Sequence, residues 1–145
     1  MLLLMALRVI TEGAHSRLAQ LGHPGTRPAH AFAFQVIGAD GTTAGELARA
    51  LGITKQAAAK MTDELETAGY IARTRDPSDG RRKLIVLTPR AVEFLELSAV
   101  AFDALAERWR ETVGERHFER LLDDLEKIVR ASRDDGSLPP LRPIW

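Results

Sequence analysis

The sequence predicts a mainly α-helical chain with one small β-hairpin: a winged helix-turn-helix domain flanked by N- and C-terminal dimerisation helices. Three observations predict it. Apolar residues recur at helical spacing over both ends of the chain. Residues 44–69 read as two short helices joined by a turn at Gly52, the plan of a helix-turn-helix. Directly after them the period changes to β-branched, alternating runs around a Pro/Asp/Gly turn, which reads as a hairpin.

In order, Leu3, Leu4, Leu7, Ile10, Ala14, Leu18 and Leu21 predict a helix over 2–21, ended by "GHPGT". Pro28 suits the first turn of a second helix running to about Ile37. Thr43 and Glu46 form a capping-box pattern that opens a third helix over 44–50. Gly52 allows a tight turn, and Thr54 caps a fourth helix ending near Gly69. "YIARTRD" and "KLIVLT" supply the hairpin strands. Thr88 and Pro89 read as a cap and a first-turn proline, starting a long helix with an apolar face of Val92, Leu95, Ala99, Phe102, Leu105, Ala106 and Trp109. Gly114 ends it near Val113. Phe118, Leu121, Leu122, Leu125, Ile128 and Val129 predict the last helix.

This organisation divides the chain into N-terminal helices (1–38), a winged helix-turn-helix lobe (42–87), C-terminal helices (88–131) and a tail (132–145). The tail has three prolines and no period, the composition of a flexible segment, although Ile144 and Trp145 are apolar enough to dock. The terminal helices carry more apolar face than a small middle segment covers. Pairing with a second copy is the physical remedy, so a homodimer is expected.

Twenty basic and twenty acidic residues cancel, so bulk charge does not announce a nucleic-acid partner. Its distribution does. Residues 71–90 hold six basic side chains against two aspartates, whereas 91–131 hold six against ten acids. The absence of cysteine excludes disulfides and thiolate chemistry. The apolar start is too short for a membrane span and lacks the flanks of a targeting signal, so a cytoplasmic protein without membrane contact is expected.

Leu47, Leu51, Ile53, Ala58 and Met61 are apolar where the two short helices face each other or the core, and Ala48 is small where they approach. An ordinary helical hairpin shares that spacing. If the second helix is a recognition helix, Thr54, Lys55, Gln56, Ala57, Ala59 and Lys60 lie on its exposed N-terminal half, where side chains reach base edges. Gln56 pairs adenine, Lys55 or Lys60 guanine or phosphate, and the two alanines offer only methyl contact. Thr54 suits a phosphate at the helix N-terminus. The hairpin adds Arg73, Arg75, Arg81, Arg82 and Lys83, whose charge gains affinity by releasing counterions from DNA. A solvated turn with scattered charges is the competing reading of "RDPSDGRRK".

The stretch "ELARALGITKQAAAKMTDELETAGYIARTRDPSDGRRKLIVLTPRA" resembles the core of the MarR-type winged-helix regulators, and the flanking helices match in order. Its most specific piece is "DPSDGRRKLIVLT". The resemblance implies a homodimer reading a palindrome in double-stranded DNA, usually as a repressor and often released by a small, frequently phenolic, effector. It also implies that Arg81 enters the minor groove and that Asp79 helps to hold the wing; Arg82 sits beside Arg81, where it could share the phosphate contact. Ala57 and Ala59 depart from the serine or threonine common in that family, which reduces hydrogen-bonded base readout.

A ligand pocket is expected where the long helix meets the first two helices, near Phe32, Phe34, Phe94, Phe102 and Trp109, each of which is equally readable as core. His15, His23, His30 and His117 are scattered without metal-ligand spacing, so no metal and no cofactor is expected. No nucleophile–base pair, carboxylate pair or phosphate-binding glycine loop is present, which argues against an enzyme. The alternative function is a winged-helix module for protein–protein contact. The basic wing argues against it, because interaction faces favour aromatic and apolar exposure.

Overall fold

The structure is a computed structural model that describes residues 1–76, 79 and 82–134. Among these residues six helices and one hairpin follow in the order α1 (Leu2–Gln20), α2 (Pro28–Ile37), α3 (Ala44–Leu51), α4 (Lys55–Thr67), β1 (Ile71–Arg75), β2 (Lys83–Leu87), α5 (Pro89–Val113) and α6 (Glu115–Ala131). The hairpin is antiparallel, running from the pair Ile71–Leu87 to the pair Arg75–Lys83. Thr42, just before α3, adds one isolated antiparallel bridge to Ile85 of β2.

Local signals set most boundaries. Thr43 accepts from the Glu46 amide at 3.2 Å while Glu46 accepts from the Thr43 amide at 3.0 Å, closing the capping box of α3. Thr54 caps α4 by accepting from the Ala57 amide at 3.1 Å. α1, α3 and α4 end alike, on Gly22, Gly52 and Gly69 with positive φ. The next amide in each case bonds back into the helix: His23 to Leu18, Ile53 to Ala48 and Tyr70 to Leu65. Each turn thereby delivers its following residue inward.

The core gathers Leu18 of α1, Phe34 and Ile37 of α2, Leu47 and Leu51 of α3, Leu65 of α4, Ile71 and Ile85 of the hairpin, and Phe94 of α5. At its centre Phe34, Tyr70, Phe94 and His23 pack ring on ring, with Phe34 and Phe94 edge to face at 5.3 Å.

Several sequence expectations need correction. Thr88 precedes α5 but its hydroxyl does not cap it. It donates backward to the carbonyls of Gly69 (2.7 Å) and Tyr70 (3.0 Å), tying the hairpin exit to the α4 turn. The buried stripe of α5 is Ala91, Phe94, Ser98 and Ala101, whereas Val92 and Ala99 are exposed. Ser98 escapes apolar counting, yet its hydroxyl donates to the Phe94 carbonyl at 2.7 Å and so tolerates burial.

The terminal helices leave apolar side chains bare. Leu2 is 81% exposed, Leu3 65% and, on α6, Ile128 60%. Only Ala14 and Leu18 of α1 and Phe118 of α6 are buried. Of the tail, residues 135–145, including Ile144 and Trp145, lie outside the described residues. No helix among the described residues is long and apolar enough to cross a membrane.

Candidate nucleic-acid interface

α3 and α4 pack through Leu47, Ala48, Leu51 and Ala58, all buried, with Ile53 and Met61 half-buried at the edge. That packing turns the opposite side of α4 outward. Thr54, Lys55, Gln56, Ala57, Ala59 and Lys60 are all exposed, so the structure brings the six expected readout residues onto one continuous surface. The acceptor of Thr54 is committed to its cap.

The C-terminal half of α4 behaves differently, because its acids are all engaged. Glu64 accepts from Arg27 at 2.7 Å and lies 4.0 Å from Lys60. Asp63 accepts from Arg73 Nη2 at 2.5 Å, and Glu66 accepts from Arg73 Nη1. Buried Thr62, which apolar counting also misses, accepts from Arg73 Nη2 at 3.1 Å and donates to the Ala59 carbonyl at 2.8 Å.

The basic residues of the hairpin region therefore divide. Arg73 is clasped by α4. Arg82 donates to Glu46 of α3 and lies 3.9 Å from Asp76. Arg90, counted with the wing on sequence, donates to the Gly22 carbonyl at 2.9 Å and lies over the Tyr70 ring at 4.9 Å. Arg75 and Lys83 are exposed and make no ion pair with any described residue. They are direct cross-strand partners. Like charges opposed in a sheet repel, so this pair is stable only in solvent or against an anion. Alternation along β1 puts Arg75 on the same sheet face as Ile71 and Arg73, the face that carries α4. Asp79 is exposed, and its carbonyl accepts from the Arg82 amide at 2.8 Å. Arg81 lies outside the described residues.

The electrostatics follow from these contacts. The Thr43 amide and hydroxyl, then the Arg82 guanidinium, hold the Glu46 carboxyl down at about 2. Burial, reinforced by the Arg27 charge, pushes the His30 imidazole down to about 4. Among the described residues no group of histidines and carboxylates is arranged to hold a metal.

The five expected ligand aromatics divide between the core and its margin. Phe34 and Phe94 are fully buried in the core, and Phe32, Phe102 and Trp109 are half-buried on α2 and α5. A cleft of about 130 Å³ lies elsewhere, between the α1–α2 connection and α4, lined by Thr26, Arg27, His30, Glu64, Leu65 and Tyr70 among others. None of the five aromatics lines it.

Comparison with known proteins agrees with this geometry. Residues 25–82, the segment from the start of α2 to the wing, match the MarR family. An uncharacterized HTH-type transcriptional regulator of Bacillus subtilis, YcgE, is 48% identical over 44 residues, 30% of this chain, and the match spans only 29% of that protein's own length. CouR of Rhodococcus jostii RHA1, solved bound to p-coumaroyl-CoA, is 25% identical with a TM-score of 0.62, covering 88% of each chain. MepR of Staphylococcus aureus, a transcription regulator of the multidrug efflux pump MepA, is 22% identical and shares the fold at a TM-score of 0.72, over 91% of this chain and 96% of its own. The helix-turn-helix and wing thus carry a MarR-family sequence match over 58 of the 145 residues, and the helical frame has the fold of CouR and MepR.

Proposed function

We propose that the chain is a homodimeric, sequence-specific DNA-binding transcriptional regulator, acting as a repressor on a palindromic operator. Two observations carry this reading: the exposed N-terminal face of α4, and the exposed Arg75–Lys83 pair on the sheet face that packs on α4. Lys55, Gln56 and Lys60 offer donors to base edges or phosphate, and the α4 N-terminus favours an anion. On the family resemblance Arg81 joins them as the groove-entering residue. A mutant form of MepR is solved bound to an oligodeoxyribonucleotide, which supports the same use of the shared fold.

Dimerisation is proposed through α1 and α6, whose bare apolar faces no described residue covers. Release by a small effector, aromatic in class, is carried by the relatives alone, since CouR is solved with p-coumaroyl-CoA and MepR with ethidium bromide. The cleft lined by Thr26, Arg27, His30 and Glu64, at about 130 Å³, is smaller than the 300–1,000 Å³ or so typical of drug-sized ligand sites.

Fluorescence anisotropy with a duplex from upstream of the protein's own gene tests the reading. Specific binding that weakens steeply with salt is expected. Binding no tighter than to a scrambled duplex refutes it and favours the interaction module instead.

A further inference from the structure

The Arg82 backbone closes the base of the wing, its carbonyl accepting from the Asp76 amide at 2.9 Å and its amide donating to the Asp79 carbonyl at 2.8 Å. It stands one residue beyond Arg75–Lys83, the last pair of the ladder. From there its side chain turns back to α3, where Nη2 donates to Glu46 Oε1. The other Glu46 oxygen is already held, because Oε2 accepts from the Thr43 amide (3.0 Å), the Thr43 hydroxyl (2.8 Å) and the Thr42 hydroxyl (3.3 Å). Thr42 in turn is paired with Ile85 of β2, amide to carbonyl in both directions at 2.9 and 2.7 Å. One carboxylate thus joins the first turn of α3 to the residue that closes the base of the wing.

We infer that Glu46 is a positioning residue for the wing: it holds Arg82, sets the wing base against the helix-turn-helix, and keeps Arg82 from serving as a phosphate contact. An exposed ion pair ordinarily contributes little, because two flexible side chains must be immobilised to form it. Here three donors immobilise the carboxylate before Arg82 arrives, so most of that entropy is already lost to the cap. The result is a geometric tie rather than a source of global stability. It also changes the role that the sequence suggests for Arg82, since its charge is answered within the subunit and releases no counterion when DNA binds.

The inference rests on the DNA-binding reading only for its effect on affinity; the tie itself is testable without DNA. Glu46→Gln is the informative variant, because glutamine serves equally at this position of a capping box while removing the charge facing Arg82. In the free protein, Glu46→Gln and Arg82→Gln should each speed hydrogen exchange at the Asp76 and Arg82 amides and leave the Phe94 amide unchanged. Unchanged exchange at the wing base overturns the inference. On duplex DNA each variant should weaken binding about two- to fivefold, the range that an exposed ion pair spans, and the double variant should be no worse than either single one. The slope of log affinity against log salt should be the same for Arg82→Gln as for wild type. A slope reduced by about 0.9 makes Arg82 a phosphate contact and overturns the inference, as does tighter binding by Glu46→Gln. If wild type binds no duplex at all, the proposed function fails, and the exchange measurement alone decides whether the tie exists.

Discussion

His23 and Tyr70, 47 residues apart, meet in the interior with Nδ1 3.0 Å from the phenol oxygen. Each is the first residue after a glycine that ends a helix, so two identical local turns, at α1 and α4, aim their next side chains at one point. Glu93 lies 3.7 Å from the other ring nitrogen of His23, which favours the tautomer protonated there and makes Tyr70 the donor to Nδ1. The pair ties the α1–α2 connection to the entry of the wing.

Tyr70→Phe should therefore destabilise the protein by about 1–3 kcal/mol, because His23 is left buried with an unanswered nitrogen. Urea unfolding measures this. A loss much below that range means that His23 finds another partner.

Acid should weaken the fold before it protonates the carboxylates. Burial lowers the proton affinity of His15, His23 and His30 below the ordinary histidine value of 6.5, with Glu93 opposing the shift at His23, and Arg27 and His15 adding to it at His30. A histidine that binds its proton less well folded than unfolded makes stability fall as pH drops. For His30 the loss begins near 6.5 and continues to about 4, over which the unfolded chain takes up a proton that the folded chain lacks. Denaturant midpoints should fall from pH 7 to pH 5, and His30→Gln should flatten that dependence.

The charged residues of the hairpin should separate into two groups on salt titration of DNA binding. Arg75→Ala and Lys83→Ala should each lower the salt slope by about 0.9, as expected for a lost phosphate contact. Arg73→Ala should instead lower stability, since it abandons Asp63, Glu66 and the buried Thr62 hydroxyl. Arg81→Ala, argued from the family resemblance, should cost about 1–3 kcal/mol of specific affinity if Arg81 reads the groove.

Gly41→Ala should disrupt the bridge between Thr42 and Ile85. Gly41 has φ +76°, and an added Cβ would lie 2.8 Å from the Ile85 carbonyl oxygen and 2.9 Å from Val86 Cγ1. Strain and collision together should cost about 1–3 kcal/mol, read as a lowered melting temperature.

Leu3→Glu or Ile128→Glu should shift a dimer toward monomer, because both side chains are bare in the single subunit. Analytical ultracentrifugation would show the smaller species, and the melting temperature of the wild type should rise with concentration. A wild type that sediments as a monomer refutes the proposed assembly.

The sequence by itself determined the element order, the helix-turn-helix and nearly every helix end. Those features depend on interactions spanning three to five residues: the Thr43–Glu46 box, the Thr54 cap and the glycine turns. The exposed face of α4 was legible for the same reason, since helical periodicity alone turns Ala58 and Leu65 inward and Lys55 and Gln56 outward. Which cations remain available was not legible. Only the tertiary structure decided that Arg73 meets α4, that Arg82 meets Glu46 36 residues away, and that Arg75 and Lys83 stand opposite each other. Sequence lists charges, but the register of a hairpin and its packing on two helices decide which are neutralised at home.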